Sequence, residues 1–160
     1  DHSVPPSTEY RGGREDAERR LHYFLEHNLR RYAKWNREPS ANATSRLSPY
    51  LHFGHISSLE VALAVQEYAA EHKLIADEFL EQLMVRRELA FNFARFAPVL
   101  DSIDALPDWA RETLAKHASD LRDPVYPSEQ FARAATSDAL WNATQTELLH
   151  RAVVHASFRL

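Results

Sequence analysis

The sequence has no cysteine, few glycines and no long apolar run, and each shortage excludes a class of protein. Without cysteine among its 160 residues, the chain forms no disulfide and holds no cysteine-ligated metal. Gly12, Gly13 and Gly54 are the only glycines, and the long alternating runs of β-branched residues that mark strands are missing. No stretch approaches the about 18 consecutive apolar residues of a transmembrane helix. The sequence therefore predicts an all-α protein.

Composition and charge describe an ordinary globular chain. Of the 160 residues, 44% are hydrophobic and 26% are charged, which is typical of a domain that can bury a core. The net charge is −4, so a nucleic-acid partner would have to meet a local basic patch. Residues 1–6 do not resemble a signal peptide and include no initiator methionine. We expect a cytoplasmic protein without membrane contact, and either a processed end or a piece of a longer chain.

The chain divides into a short polar segment and a long helical one. Residues 1–13 contain proline, serine and glycine, which predicts a flexible lead-in. Residues 14–160 are expected to form one helical domain. Its first helix should run from residue 14 to about residue 35, because apolar residues recur there at three- and four-residue steps and so share one face. These residues are Leu21, Phe24, Leu25, Leu29 and Tyr32.

The end of this predicted helix is basic, and no acid separates Arg30, Arg31, Lys34 and Arg37. The cluster has two interpretations. Cations near a helix C-terminus compensate the helix dipole on a solvated face. Alternatively they form a phosphate-facing patch, as in a helical DNA-binding domain. Charge alone leaves both open.

A loop with phosphate-binding chemistry is predicted at residues 44–56. Thr44, Ser45 and Ser48 place three hydroxyls within five residues, Arg46 adds a guanidinium, and a proline turns the chain directly afterwards. Hydroxyls, backbone N–H groups and a guanidinium are what a phosphate-bearing ligand requires of a loop. An ordinary helix-to-helix connection with a Ser-Pro turn explains the same residues, and composition alone favours it.

A capping box predicts where the next helix begins. Ser57 at the N-cap is followed three residues later by Glu60, and Ile56 and Val61 suit the accompanying hydrophobic staple. This helix is expected to end near His72 and to serve a structural role.

The third long helix, predicted from residue 77 to about residue 96, carries charge within its apolar face. Arg86, Arg87 and Glu88 occupy roughly 300° of the helix circumference, since each residue takes about 100°. At least one of them is therefore expected to point inward, paired with an acid or with an anionic ligand. The interrupted apolar face consists of Phe79, Leu80, Leu83, Met84, Ala90, Phe91 and Ala94.

Three shorter helices are predicted near the end of the chain. Proline at a first helical position predicts one over residues 107–118. A serine cap predicts a second over residues 128–134, and the run Thr136-Ser137-Asp138 should cap a third over residues 139–154.

Histidine spacing predicts no metal site, although nine histidines are present. His52 and His55 lie in the loop without a third ligand nearby, and His150 and His155 are too far apart in register to share one helix face. The sequence also contains no P-loop, dinucleotide-binding or G-x-S-x-G motif.

Two separated blocks resemble one protein family. Residues 44–57 (TSRLSPYLHFGHIS) resemble the flavin-phosphate loop of the DNA photolyase and cryptochrome family. Residues 79–89 (FLEQLMVRREL) resemble the flavin-facing helix of its class II cyclobutane pyrimidine dimer photolyases. Residues 101–110 and 140–148 are similar to class II as well, and the resemblance covers about residues 21–160.

The resemblance implies a fold and an activity. The fold would be the all-α, helical FAD-binding domain of a photolyase, truncated at its C-terminal half because the family continues beyond residue 160. The activity would be that of a deoxyribodipyrimidine photo-lyase: light-driven repair of cyclobutane pyrimidine dimers in UV-damaged DNA by electron transfer from reduced FAD. The dimer would be flipped out of the duplex to reach the flavin.

The same resemblance implies roles for individual residues. Asn36 and Arg37 match positions that lie near lesion-containing DNA. Trp141 matches the outer member of a tryptophan chain that reduces the flavin, and Gln82 stands at the position of a dimer-contacting glutamate. The residues that would bind FAD are Tyr32, Thr44, Ser45, Arg46, Leu47, Ser48 and Arg86.

The sequence departs from the family pattern at two side chains of the third helix and in the run of residues 155–160. Gln82 can hydrogen-bond a base but offers neither negative charge nor a proton, and Phe91 stands where an acid is common. Because part of the FAD cradle would lie outside the chain, we expect the 160 residues alone to bind FAD weakly or not at all. The alternative function is a photolyase-derived helical scaffold or binding module that has lost FAD.

The C-terminal end is expected to expose apolar side chains. Such residues would pack against the missing photolyase segments or against a second copy of the chain. They are Val153, Val154, Phe158 and Leu160.

Overall fold

The computed structural model describes residues 6–158, whose regular structure is helical and contains no strand. This confirms the all-α prediction. The helices are α1 (Arg14–Tyr23), α2 (Leu29–Trp35), α3 (Ser48–His52), α4 (Ser58–His72), α5 (Asp77–Leu80), α6 (Arg87–Phe96), α7 (Asp108–Lys116), α8 (Ser128–Ala132) and α9 (Ala139–Arg151). Two π-helical turns (Phe24–Asn28 and Glu81–Arg86) and three 3₁₀ turns (Pro39–Ala41, Ile103–Ala105 and Ala156–Phe158) complete the order.

The two longest helical runs each contain a π turn. α1 continues through Phe24–Asn28 into α2, and α5 continues through Glu81–Arg86 into α6. The extents of both runs agree with the predicted helices. A π turn inserts an extra residue and rotates the following side chains about the helix axis. In the first run the predicted apolar face nevertheless stays continuous, because its residues before and after the π turn are buried in the core or packed against it.

The hydrophobic core lies in the first half of the chain. In the described residues, every buried apolar side chain falls between Ala17 and Leu83. Phe24 and Phe79 pack with ring centroids 4.6 Å apart and so join the two long helical runs. The largest fully buried side chains are Phe24, Leu29, Leu47, Val61 and Val65.

α4 begins where the capping signal predicted. The Ser57 hydroxyl accepts a hydrogen bond from the Glu60 N–H at 3.0 Å, which satisfies one of the free N–H groups of the first turn. Ile56 and Val61 are both buried. Instead of completing the capping box by returning to Ser57, the Glu60 carboxylate pairs with Arg14. That ion pair connects the start of α4 to the start of α1.

The predicted apolar face of the third helix is buried only in part. Phe79 and Leu83 are buried, but from Met84 to the end of the described residues no side chain is. The expectation that a charged residue points into the interior is also wrong. Arg87 lies partly exposed over the ring of Phe91, 4.5 Å from its centroid, because α6 leaves the core that α5 helps to form.

The caps of the short C-terminal helices agree with the prediction in one case and differ in the other. Asp138 caps α9, since its Oδ1 accepts hydrogen bonds from the N–H groups of Leu140 (2.9 Å) and Trp141 (3.0 Å). The prediction of Ser128 as a cap is wrong. Ser128 is the first helical residue of α8, Pro127 takes the N-cap position, and no side chain makes the capping bond.

Polar contacts connect the N-terminal and C-terminal parts of the chain. The Ser7 hydroxyl donates to the carbonyl oxygen of Arg151 (2.8 Å), and the Ser157 hydroxyl donates to that of Arg37 (2.9 Å). α9 ends at Arg151, earlier than predicted, because Ala152 adopts a left-handed conformation with φ 56°. These contacts connect the segment before α1 to the end of α9, and the segment after α2 to the residues that follow α9.

The predictions for the two chain ends concern residues that are only partly described. Val153 and Val154 are half-buried and Phe158 is exposed, whereas Leu160 lies outside the described residues. Residues 6–13 form no regular element, and residues 1–5 of the predicted lead-in lie outside the described part. In residues 6–158, no helix combines the length and the hydrophobicity that crossing a bilayer requires.

Candidate functional site

The loop between α2 and α3 forms one wall of a pocket of about 480 Å³. The pocket lies between residues 8–11, the α1 run and residues 42–50. Thr44, Ser45 and Arg46 line it, while the neighbouring Leu47 is 1% exposed and belongs to the core. The loop therefore turns three polar side chains toward the pocket and anchors itself with an apolar one.

Asn28 holds this loop against the first helical run. It is the last residue of the π turn and is buried. Its Nδ2 donates hydrogen bonds to the carbonyl oxygens of Asn42 (3.2 Å) and Thr44 (3.4 Å). Buried polar groups are stable only when they are hydrogen-bonded. The Asn28 amide is thus hydrogen-bonded in its buried position and fixes the two loop residues on either side of Ala43.

Arg46 occupies a strained backbone position. Its φ is 55°, in the left-handed region that non-glycine residues rarely adopt. The guanidinium donates to Glu9 Oε1 (2.7 Å) and to Asn42 Oδ1 (2.6 Å). Strain of this kind persists when surrounding contacts compensate for it, and it is common at ligand sites. The loop conformation aims the arginine side chain at the pocket.

Arginines surround the carboxylate of Glu9. Its Oε2 lies 2.8 Å from Arg151 Nη2, and its Oε1 lies 2.7 Å from Arg46 Nη1 and 4.0 Å from Arg20 Nη1. The hydrogen bond from Arg151, reinforced by the charges of Arg46 and Arg20, lowers the pKa of Glu9 in spite of its partial burial. Glu9 is therefore ionised at neutral pH and neutralises part of a positive pocket wall.

Tyr32 lies away from this pocket wall, in an aromatic cluster. Its ring packs edge-to-face on Phe24 (5.8 Å between centroids) and on Phe79 (5.3 Å). Burial raises the pKa of its phenol. The cluster places Tyr32 beside the start of the helical run that carries Gln82 and Arg86.

Gln82 and Arg86 both belong to the second π turn and both are exposed. The Arg86 side chain is 64% exposed and its Nε lies 3.4 Å from Glu81 Oε1. Ser48 is exposed as well, at the first position of α3. The predicted FAD residues are thus divided. Thr44, Ser45 and Arg46 share the pocket, while Tyr32, Leu47, Ser48 and Arg86 do not line it.

The predicted DNA-facing residues lie at the end of α2. Asn36 caps this end, with its Nδ2 donating to the Tyr32 carbonyl oxygen (2.9 Å). Arg37 is exposed. In the adjoining basic cluster, Arg31 donates to the carbonyl oxygen of Ala41, so one of its cations is used to hold the loop. Arg30, Lys34 and Arg37 remain on the surface.

Trp141 lies far along the chain in a second aromatic cluster. Its indole N–H donates to the Phe131 carbonyl oxygen (3.2 Å), and its ring packs edge-to-face on the Phe131 ring, 5.2 Å away. The side chain is 38% exposed.

No group of three or more histidine and carboxylate side chains is arranged to hold a metal ion in residues 6–158. The candidate site consists of a pocket lined by hydroxyl side chains and several arginines and, apart from it, an aromatic cluster that contacts the start of the second long helical run.

Two residues of this site, Asn28 and Glu9, were not predicted from the sequence. Asn28 interrupts the apolar face of the first helix, between Leu25 and Leu29, and a polar residue in such a position is a signal that a pattern search can find. Glu9 has no such signal, because it lies in a polar segment and meets its arginines only in the folded chain.

The comparisons with known proteins agree with the resemblance. No protein-family model matches the chain. The chain is 43% identical over 138 residues to the deoxyribodipyrimidine photo-lyase of Oryza sativa subsp. japonica, a match that covers 86% of this chain and 27% of that relative. The protein of the same name from Arabidopsis thaliana is 40% identical over 138 residues, covering 86% and 28%.

A third relative extends the match. The deoxyribodipyrimidine photo-lyase of Methanothermobacter thermautotrophicus is 39% identical over 151 residues, which cover 94% of this chain and 33% of that protein. The chain spans about a quarter to a third of the length of the curated relatives it matches. Over most of its length, the chain is a homologue of the deoxyribodipyrimidine photo-lyases, which supports the photolyase family as its family.

Proposed function

We propose that this chain is the FAD-phosphate-binding part of a class II cyclobutane pyrimidine dimer photolyase. The observation that carries the proposal is the pocket wall at residues 44–46. Thr44, Ser45 and Arg46 together line one cavity, and this is the segment whose sequence resembles a flavin-phosphate loop.

The pocket suits the phosphate end of a dinucleotide. Its volume of about 480 Å³ lies within the roughly 300–1,000 Å³ usual for small-molecule sites. Hydroxyl groups and an arginine are good partners for phosphate oxygens, because a guanidinium binds them with two parallel hydrogen bonds. The strained backbone of Arg46 supports a functional role for its orientation.

The ring end of the cofactor would meet a more open surface. Tyr32, fixed by Phe24 and Phe79, would border the ribityl chain, and Arg86 would lie beside the isoalloxazine. Reduced FAD, when bound and excited by blue or near-UV light, supplies the electron that splits a pyrimidine dimer. Around it, the residues of this chain would bind and orient. Gln82 would hydrogen-bond the damaged bases, and Trp141 would connect the site to external reductant.

A DNA surface would adjoin the same region. Asn36 and Arg37 at the end of α2, together with the exposed cations Arg30 and Lys34, form a local basic patch on a chain of net charge −4. Such a patch is what phosphate contacts along a duplex require. We propose UV-damaged DNA as the partner, and a cytoplasmic location.

The exposure of Arg86 favours a second candidate function. An arginine that is 64% exposed and paired with a neighbouring glutamate gives little binding energy to a flavin ring. A chain with only the phosphate half of the cradle would serve as a helical binding module that interacts weakly with FAD.

Titration of the 160-residue chain with FAD, ADP and riboflavin tests the proposal. Fluorescence quenching reports the two flavins, and calorimetry reports ADP. We expect Arg46→Gln and Ser45→Ala to weaken FAD and ADP and to leave riboflavin unchanged, because the loop contacts phosphates. Ser128→Ala is the matched control, since Ser128 is exposed at the start of α8. Equal FAD affinity for all variants would show that this loop is not the phosphate site.

A further inference from the structure

The pocket contains an internal anion, the carboxylate of Glu9. Three arginines from separate elements meet it: Arg46 from the loop at 2.7 Å, Arg151 from α9 at 2.8 Å, and Arg20 from α1 at 4.0 Å. Arg20 also donates from Nη2 to the backbone carbonyl oxygen of Glu9 (3.1 Å). Arg151 also pairs with Glu147 (3.4 Å), so two carboxylates face three guanidiniums and the cluster keeps an excess of positive charge.

The arrangement of these groups matches what a phosphate ester needs. Carboxylate and phosphate oxygens use the same guanidinium N–H donors, and phosphate offers more oxygens and more negative charge. Beside Arg46, the pocket adds Thr44 and Ser45. The Glu9 side chain is 21% exposed, so solvent and ligands can reach it.

The segment that carries Glu9 has its own anchor. Tyr10 packs edge-to-face on the buried Tyr50, with ring centroids 6.0 Å apart, and the guanidinium of Arg20 lies 5.2 Å from the centre of the Tyr10 ring. Ser7 is bonded to the backbone of Arg151. Rotation of the Glu9 side chain out of the cluster therefore leaves the backbone on both sides in contact with the fold.

We propose that Glu9 is an exchangeable counter-ion of this pocket, and that a phosphate ester binds by replacing its carboxylate on Arg46. The inference rests on the proposed phosphate site and specifies how that site is controlled. In the free protein Glu9 keeps Arg46 oriented and the arginine cluster partly neutralised. A ligand phosphate has to compete with it, so the apparent affinity is lower than the cluster itself would give. The same contacts make the position of α9, through Arg151, sensitive to whether the pocket is filled.

Inorganic pyrophosphate tests the exchange, because it carries the phosphate chemistry without the flavin. Calorimetric titration compares the wild-type chain with Glu9→Gln, Glu9→Asp and the matched control Glu15→Gln, an exposed acid in the first turn of α1. We expect Glu9→Gln to bind pyrophosphate about tenfold more tightly, as for a competitor that occupies the site about nine-tenths of the time. Glu9→Asp should give a smaller gain, because the shorter side chain keeps the charge but cannot reach Arg46 and Arg151 together. Glu15→Gln should match wild type.

Equal or weaker pyrophosphate binding by Glu9→Gln overturns the proposal. A gain of similar size in Glu15→Gln, with none in Glu9→Asp, also overturns it, because net charge would then explain the effect. FAD titration of the same variants distinguishes this inference from the function on which it rests. If FAD binding weakens in the Ser45 and Arg46 variants but is unchanged in the Glu9 variants, the flavin site stands and the proposed exchange is wrong. If Glu9→Gln binds pyrophosphate more tightly but the chain binds no FAD, the exchange stands and the proposed flavin role is wrong.

Discussion

Replacement of Asn28 tests whether the phosphate loop depends on the first helical run. The Asn28 side chain is 6% exposed and its Nδ2 donates to the carbonyl oxygens of Asn42 and Thr44 at 3.2 and 3.4 Å. Each hydrogen bond contributes a net of about 0.5–1.5 kcal/mol. Because both bonds are lost in Asn28→Ala, we expect the free energy of unfolding to fall by about 2 kcal/mol. In a domain of this size that corresponds to a decrease in Tm of roughly 4–8 °C.

Asn28→Asp provides the sharper measurement because it keeps the size of the side chain. The substitution replaces the donor with a carboxylate that faces two carbonyl oxygens in a buried position, so the loss should exceed that of the alanine variant. Urea denaturation followed by circular dichroism gives both values. ADP affinity should fall in parallel, since the carbonyl groups that Asn28 holds belong to the loop.

Glu26→Ala is the control, because Glu26 is an exposed residue of the same π turn and its loss should change the free energy of unfolding by less than about 0.5 kcal/mol. If Asn28→Asp is as stable as wild type, or if Asn28→Ala costs no more than Glu26→Ala, the reasoning about the loop is refuted.

Three further predictions concern the core, a helix cap and acid stability. Phe79→Ala should lower the free energy of unfolding by about 3–5 kcal/mol, measured by denaturant titration, because it removes the ring that joins the two long helical runs. Phe96 is 76% exposed, so Phe96→Ala should lower the free energy of unfolding only slightly. Equal losses in the two variants would contradict the packing. Ser57→Ala should lower the free energy of unfolding by about 1 kcal/mol, because the Ser57 hydroxyl makes a capping bond. Ser128→Ala should leave it almost unchanged, because Ser128 makes no capping bond. The pKa of Glu9 is lowered in the folded chain, so its stabilising effect is present above the ordinary glutamate pKa of about 4.3 and is lost as the pH falls through the lower, folded value. The stability difference between wild type and Glu9→Gln should therefore shrink below about pH 4.3, and a difference that grows there would reverse the sign of the argument.

The predictable part of the candidate site is the part whose chemistry is contiguous in sequence. Thr44, Ser45 and Arg46 lie in one short run, and the structure brings all three to one pocket. The aromatic cluster was partly predictable, because Phe24 and Tyr32 share a helix face. Its contact with Phe79 depends on how two distant helices pack, and no local pattern specifies that.

The third helix shows why periodicity misplaces a buried face. The helix itself extends as predicted, with the π turn Glu81–Arg86 halfway along it. Burial requires a neighbouring element, however, and α6 has no buried residue of its own. An apolar pattern shows which residues can be buried, and only packing decides which of them are.

Local interactions account for what the sequence alone determined about this protein. The extents of the two long helical runs, the Ser57 and Asp138 caps and the hydroxyl-rich loop all depend on residues within a few positions of each other, so composition and spacing were sufficient to predict them. The tertiary structure alone decided that Asn28 fastens the loop and that Glu9, Arg20, Arg46 and Arg151 form one charge cluster. These contacts join residues that are between 11 and 142 positions apart in the chain, and their energies depend on distances that exist only after the helices have packed.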